Sequence, residues 1–517
     1  MVRALRHILR LLAIARTLSR HGALEPLITA IEGTGLAPAV LRFGRLLSRP
    51  SRAVLDRRPG QRLADALSQL GPAFIKLGQM LSTRADLLGE AVAADLSLLQ
   101  DRLEPFSAGD ARATIVAELG QPVEELYASF DDKPVSAASI AQVHYATTLD
   151  DGAEVAVKVL RPSIERSLAR DIDLMRWLAR MVEATQPKLR RLKPVEVVEI
   201  FADTVRMEMD LRLEAAAASE LKQNFADDPS YRIPAIDWRR TARRVMTQER
   251  LTGIPMDDRA GLLAAGRDIE AVLTKAARIF FYQVFRDGYF HGDQHPGNMF
   301  VDEAGNIGAV DFGIMGRLDR KTRYYLADML LAFLGRDYRR VAEVQFAAGY
   351  VPAGQSLDNF AQACRSIGEP IFGRPLAQIS FARMLGQLFQ IAETFDMEVQ
   401  PQLLLLQKNM LMAEGVSRSL RPDLNIWTLA QPLIEAWMRE NRGPEARLRQ
   451  AADDAWRLID RLPALIGDAE KALARLADGG VRLDPDSLAG LSRGNGTAIW
   501  LLWAAVATLA VAVLVAL

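Results

Sequence analysis

The chain has 517 residues, half hydrophobic and a quarter charged, enough apolar material for a large core and more than one domain. Lysine plus arginine equals aspartate plus glutamate at 64 each, so no all-over basic footprint points to nucleic acid as a partner. A single cysteine, Cys364, excludes an intramolecular disulfide framework and a cysteine-rich zinc site, and fits a reducing cytosolic face.

Residues 1–60 carry Arg3, Arg6, Arg10, Arg16 and Arg20 among Leu5, Ile8, Leu9 and Leu12 at helical spacing. Arginine interrupts the apolar part and no small-residue cleavage site follows, so this is not a signal peptide. Such a basic amphipathic helix either lies on an anionic membrane surface or packs its apolar face on the body, and the sequence leaves both open. Residues 61–125 read as helical. One helix starts after Pro72, and its Lys76 and Gln79, three apart, share a face.

Residues 126–250 read as a small lobe mixing strands with an acidic helix. Ile140–Ala146 and Glu154–Leu160 are predicted strands joined by a turn at Asp150-Asp151-Gly152. Lys158 lies on the second, half-buried strand, where a kinase-like site needs a lysine for the α/β-phosphates; a strand lysine snorkelling to water is the bland alternative. Before the first strand, where such a site carries a glycine-rich loop, stands Pro134-Val135-Ser136-Ala137-Ala138-Ser139. The alanine Cβ disfavours positive φ and stiffens the loop. The N–H groups of Ala137, Ala138 and Ser139 still have phosphates within reach, and Ser136 and Ser139 add hydroxyl donors. A long helical pattern covers Phe201–Phe225 and carries Glu208, Asp210 and Glu214. Asp210 and Glu214, four apart, stack on one face and call for cations opposite, Lys158 being one and another lying earlier in the chain. Val245–Arg250 closes the lobe as a hinge meeting an adenine edge through backbone groups, with Met246 and Glu249 beside it; a plain strand end is the alternative.

Residues 251–440 read as a larger helical lobe. Here His291-Gly-Asp-Gln-His-Pro-Gly-Asn298 is followed by Asp311-Phe312-Gly313. An Asp and an Asn five apart, then a second Asp, is the spacing of kinase-like sites around a nucleotide's metal. γ-Phosphoryl transfer spreads negative charge over oxygens, which calls for carboxylate and amide ligands to Mg²⁺ and a carboxylate near the nucleophile. Asn298 and Asp311 are therefore assigned to the metal and Asp293 to the acceptor, with ATP (or ADP) and Mg²⁺ as cofactors. His291 and His295 are expected to order the loop backbone rather than bind zinc. After Gly316 no Ala-Pro-Glu follows, and the chain passes into helix-like sequence, Lys321–Leu334, so a peptide-substrate platform is not expected. Residues 441–493 form a charged, helix-forming connector. In 494–517 the run Ala498–Leu517 has 20 residues without a charge, and Trp500 and Trp503 near its start suit an interfacial belt. At about 1.5 Å per residue it spans about 30 Å, one membrane helix. Arg475, Arg482 and Arg493 precede it, which places the body on the cytoplasmic side.

Together these motifs resemble the UbiB family of atypical kinase-like proteins linked to ubiquinone biosynthesis. Gly71–Arg84 is similar to the family's KxGQ signature, the Ala/Ser loop to its substitute for the glycine loop, and Glu208-Met209-Asp210 to its ExD element; the likeness covers residues 60–440. Gly89, Gly292 and Gln294 depart from frequent family residues without removing a metal-binding or proton-transferring group. The implied fold is α+β, a bilobal protein-kinase-like fold with an N-terminal helical extension, to which the C-terminal run adds a transmembrane helix. By resemblance, Lys158 and Glu214 are the nucleotide lysine and its ion pair, and Asp293 is the catalytic-loop aspartate. Lys76 and Gln79 come from an added helix that covers the site and faces Glu208 and Asp210. The implied function is a membrane-tethered, ATP-using enzyme supporting ubiquinone biosynthesis in the bacterial inner membrane. Its implied partners are membrane lipids, ubiquinone precursors and biosynthetic enzymes, and a homodimer is left open. An orthodox Ser/Thr protein kinase and a non-catalytic nucleotide-binding scaffold are the alternatives. The glycine-free loop and missing platform weigh against the first, and retention of Lys158, Asp293, Asn298 and Asp311 against the second.

Overall fold

The basic N-terminal sequence folds as α1 (Val2–Arg20), but its apolar stripe faces outward. Leu5 and Leu9 are 58% and 59% exposed, with Ile8 and Leu12 beside them. The opposite face makes the contact. Arg10 donates two 2.9 Å hydrogen bonds to the Asp171 carboxylate and a third, at 3.1 Å, to the Leu70 carbonyl, while His7 meets Asp173 at 3.0 Å. Of the two readings left open for this helix, packing on the body through Leu5 to Leu12 is not the one found: Arg10 and His7 reach its acids, and Ile14 and Leu18 join its core. The computed structural model describes residues 2–24, 50–82, 89–97, 99, 103–185, 193–370, 391, 394–395, 397, 401–421 and 426–442. One compact unit runs over Met1–Trp437, and of the other, Met438–Leu517, only 438–442 are described. The expected span at 494–517 and nearly all of the connector lie outside the described residues. Among those, no helix is long and apolar enough to cross a membrane.

The extension is a helical corner. α2 (Pro59–Leu70) ends at Gly71, whose φ of 107° suits glycine, and α3 (Pro72–Ser82) restarts with proline at its first position, where the missing N–H costs nothing. Leu63, Leu67, Ala73 and Phe74 from this corner share a core with Ile140, Leu160 and Met246, so the extension is built into the small lobe rather than appended to it.

That lobe follows α4 (Ala108–Leu119) with β1 (Tyr127–Phe130), β2 (Ser136–Ala137), β3 (Ala141–Thr148) and β4 (Glu154–Leu160). The chain then runs through α5 (Ile164–Thr185), α6 (Pro194–Glu208), α7 (Leu211–Asn224), β5 (Tyr231–Arg232) and β6 (Val245–Glu249). The antiparallel sheet has order β1-β3-β4-β6, with β2 also on β3. β4 is central and covered on both faces, not half-buried: Val155, Val157 and Val159 pack with Ile115 of α4, and Leu160 joins the extension core. Lys158 shares the Leu160 face, the polar interruption of an otherwise buried strand. The expected single helix over Phe201–Phe225 is two. α6 stops at Glu208, and Asp210 caps α7 by accepting the Arg212 N–H at 3.2 Å. An aspartate side chain competes with the helical ladder at such a position and starts a new helix.

In the large lobe β7 (Ile254–Pro255) and α8 (Ile269–Phe281) precede β8 (Tyr289–His291), β9 (Met299–Val301), β10 (Ile307–Ala309) and β11 (Met315–Arg317). Two small sheets result, β5-β10-β9-β7 and β11-β8, which frame the loops at 291–298 and 311–314. α9 (Arg320–Leu334) begins three residues after β11, leaving little chain for a peptide platform. α10 (Pro401–Leu420) and α11 (Ile426–Arg442) complete the described helices.

Candidate active site

The ammonium of Lys158 sits between two carboxylates, 2.7 and 2.9 Å from the Glu214 oxygens and 3.2 Å from Asp311 Oδ1. β4 brings the lysine, α7 the glutamate one turn past the Asp210 cap, and the loop after β10 the aspartate. One positive charge cannot satisfy two acids equally. Burial pushes the Glu214 carboxyl up to about 7 against the pull of Lys158. Asp311 goes the other way: the Lys158 ammonium holds it far below the carboxylate range, and Lys76 adds to the effect. Burial works against the charge on Lys158, but Asp311 and Glu214 together outweigh it and raise its pKa. Asp311 also has φ +65°, a left-handed conformation unusual for a residue with a Cβ, as found where a site holds a side chain in a fixed direction.

Lys76 pairs with Glu208 at 2.9 Å with both side chains largely buried, and Gln79, one turn on along α3, is half-buried. Asp210 was expected on this pair as well, but it binds Arg212 at 2.6 Å while capping α7. The cap decides this, because it commits the Asp210 carboxylate to the start of α7, where it accepts from the Arg212 N–H.

The catalytic-type loop is wired from below. His291 is buried and its pKa is depressed by that burial; its Nδ1 accepts the Asp293 N–H at 3.0 Å, which leaves the ring proton to Nε2. His295 Nδ1 accepts the Gly297 N–H at 3.1 Å. Both histidines therefore order backbone. Val310 donates its N–H to the Asn298 carbonyl at 2.9 Å, which ties the loop carrying Asn298 to the strand leading into Asp311. Two residues that sequence reasoning missed complete the wiring, both on α10. Lys408 Nζ lies 2.8 Å from Asp293 Oδ1. Asn409 accepts the Gln294 N–H at 3.2 Å and donates its amide to the His291 carbonyl. Their signal was Gln407-Lys408-Asn409, a polar triplet between the apolar runs Leu403–Leu406 and Met410–Ala413.

Other expected site residues are placed differently. Ala137 pairs with Gln142, and the Ala138 N–H donates to the Ala141 carbonyl at 2.8 Å, so that donor is used inside the turn. Arg161 and the Leu103 N–H grip the loop through the Ala138 and Ala137 carbonyls, while Ser139 is buried at its base with its hydroxyl off the surface. Met246 faces Lys158 in register and is fully buried. The Glu249 N–H donates to Ala235 and its carboxylate accepts from Arg232, so the strand's own backbone is committed.

Among the described residues no three His, Cys, Asp or Glu side chains close around a metal ion. The donors fit magnesium nonetheless, since it keeps waters and phosphate oxygens and asks for only one or two carboxylates. Asp311, 49% exposed and with one oxygen on Lys158, and half-buried Asn298 would be the oxygen donors for it.

Comparison with known proteins gives the same architecture. The ABC1 atypical kinase-like domain profile matches residues 98–345, and the UbiB helical domain profile matches 364–425, which includes Lys408 and Asn409. A Marinobacter nauticus protein named Probable protein kinase UbiB is 46% identical over 417 residues, 79% of this chain and 76% of that one. A protein of the same name from Xanthomonas axonopodis pv. citri is 43% identical over 473 residues, covering 89% and 83%. Among solved structures, the complex of Rv3197 with erythromycin from Mycobacterium tuberculosis aligns with TM-score 0.52 at 25% identity, covering 74% of this chain and 97% of that one. With the kinase-like fold, the kinase-type ion pair and these matches together, the chain belongs to the UbiB family of ABC1 atypical kinase-like proteins.

Proposed function

We propose that this protein is a membrane-tethered, ATP-hydrolysing enzyme of kinase type that supports ubiquinone biosynthesis. The observation that carries the enzymatic part is the Lys158 ammonium held between Glu214 and Asp311. In that arrangement Lys158 reaches the α/β-phosphates and Glu214 fixes it, while Asp311 and Asn298 hold Mg²⁺. Magnesium, when bound, neutralises charge developing on the transferred phosphoryl oxygens. Asp293, pinned by Lys408, orients or deprotonates the acceptor. Lys76 and Gln79 close the site from the extension, and the short link from β11 to α9 argues against a bound peptide. Tethering is inferred from Ala498–Leu517, with the outward stripe of α1 beside Arg6 and Arg16 as a second, interfacial contact. The pathway follows from family membership.

The test incubates purified full-length chain with Mg-ATP, with and without liposomes containing anionic lipid, and follows free phosphate and labelled protein or lipid. Wild type is expected to release phosphate faster with liposomes, and Asp311→Asn to lower the rate about 100-fold or more. Equal rates for wild type and Asp311→Asn would overturn the enzymatic reading, and efficient labelling of added peptides would favour an orthodox protein kinase.

A further inference from the structure

Gln283 is the one amide side chain in the apolar and aromatic run Ile279–Phe285, and it is fully buried. An amide placed there is costly unless a partner compensates it. Its Oε1 accepts the His291 N–H at 2.9 Å. An N–H only donates, so the oxygen of the amide, not its nitrogen, faces that group. The backbone that carries Gln283 is unusual. α8 ends at Phe281 and continues as a π-helical turn, Tyr282–Asp287, the one such segment among the described residues. The Gly288 N–H closes it on the Gln283 carbonyl, and Arg323 of α9 donates to the carbonyls of Phe285 at 3.0 Å and Arg286 at 2.6 Å. A π turn holds one residue more than an α turn and so re-aims side chains, which is why such turns recur at functional sites.

The strand that Gln283 meets has an open edge, since β8 pairs with β11 alone in a two-stranded sheet. The Gly292 N–H donates to the Ile314 carbonyl at 2.7 Å, so by antiparallel alternation the N–H and carbonyl of His291 point away from β11. Gln283 accepts from that N–H, and Asn409 donates to that carbonyl. Two helical elements thus supply the acceptor and donor that a third strand would bring. They do so at the residue whose Nδ1 holds the Asp293 N–H. We propose that Gln283 is a positioning residue for the catalytic-type loop. Presented by the π turn, it forms with Asn409 an amide clamp on His291, and the clamp sets the direction of Asp293. Loss of the clamp slows turnover without weakening nucleotide binding, which falls to Lys158 and Asp311. The effect on turnover rests on the enzymatic reading above; the clamp itself does not.

The experiment uses the full-length chain in nanodiscs containing anionic lipid. Exchange of the His291 amide is read by hydrogen-exchange mass spectrometry with fragment resolution, turnover by phosphate release, and nucleotide affinity by calorimetry with Mg-ADP. Gln283→Met keeps the volume and removes the acceptor. It should speed exchange at His291 about 10-fold and lower kcat about 10-fold or more, with Mg-ADP affinity unchanged. Should it fail to fold, Gln283→Asn, which draws the oxygen back by one methylene, takes its place with the same expected outcome. Gln283→Glu keeps an oxygen for the His291 N–H. At about pH 6, where a buried carboxyl retains its proton, it should recover most of the rate. Unchanged exchange at His291 in Gln283→Met would overturn the clamp. The positioning role would fall if kcat stayed at the wild-type value, dropped only in step with Mg-ADP affinity, or was no better in Gln283→Glu than in Gln283→Met. A wild type that releases no phosphate would sink the enzymatic reading, and exchange at His291 would then decide the clamp by itself.

Discussion

Lys408 and Glu414 share a helix but carry separate consequences. Lys408 is the cation on Asp293, supplied by the helical domain rather than the loop. Lys408→Met should lower kcat for phosphate release about 10- to 100-fold while nucleotide affinity, which depends on Lys158, stays unchanged; Lys408→Arg should recover part of it. A fall in nucleotide affinity equal to the fall in kcat would instead make Lys408 a structural residue. Glu414 is buried, and burial pushes its carboxyl up to about 7 despite Arg418 at 2.8 Å. Between its ordinary 4.5 and about 7 the folded chain therefore keeps a proton that the unfolded chain releases. Stability must fall as pH rises through that window. Thermal midpoints from pH 5 to 7.5 should decline less for Glu414→Gln than for wild type, with Glu214, also raised, sustaining the remaining slope.

At the scale of elements, the break between α6 and α7 does more than end a helix. It gives Glu208 to Lys76 and Glu214 to Lys158, so one acidic segment serves both the extension and the nucleotide lysine. Asp210 makes the break by capping α7. Asp210→Ala should cost about 1 kcal/mol in urea unfolding, with Asp210→Asn nearer wild type because the amide oxygen still caps. The acidic spacing was legible in the sequence. The cap was not, because a helical propensity sum over Ala, Leu and Glu outweighs one aspartate when no neighbouring chain is considered. The alanine loop departs for a similar reason: Arg161 and Leu103 hold its carbonyls, and neither is adjacent in sequence.

Across the whole molecule, the N-terminal helix is fastened to a segment about 160 residues away through a guanidinium and a largely buried carboxylate. Removing one partner leaves the other charge poorly compensated. Arg10→Ala should therefore destabilise by about 2 kcal/mol and speed proteolysis near residue 20. The double variant Arg10→Ala/Asp171→Ala should lose less than the sum of the single changes, as a double-mutant cycle by chemical denaturation would measure. The fastening also fixes which side of α1 looks outward, and so leaves Leu5, Ile8, Leu9 and Leu12 uncovered by its partner helices.

The sequence by itself determined the kinase-like class, the strand lysine, the Asp-Asn-Asp spacing and the KxGQ helix, because each is written in contiguous residues whose chemistry has few other uses. Tertiary structure alone decided that Asp210 caps instead of pairing, that Lys408 and Asn409 hold the catalytic-type loop, and that the N-terminal helix packs by the side carrying His7, Arg10, Ile14 and Leu18. Those outcomes depend on charges and hydrogen-bonding groups brought together from distant parts of the chain, where the desolvation of a carboxylate, not local periodicity, selects the partner.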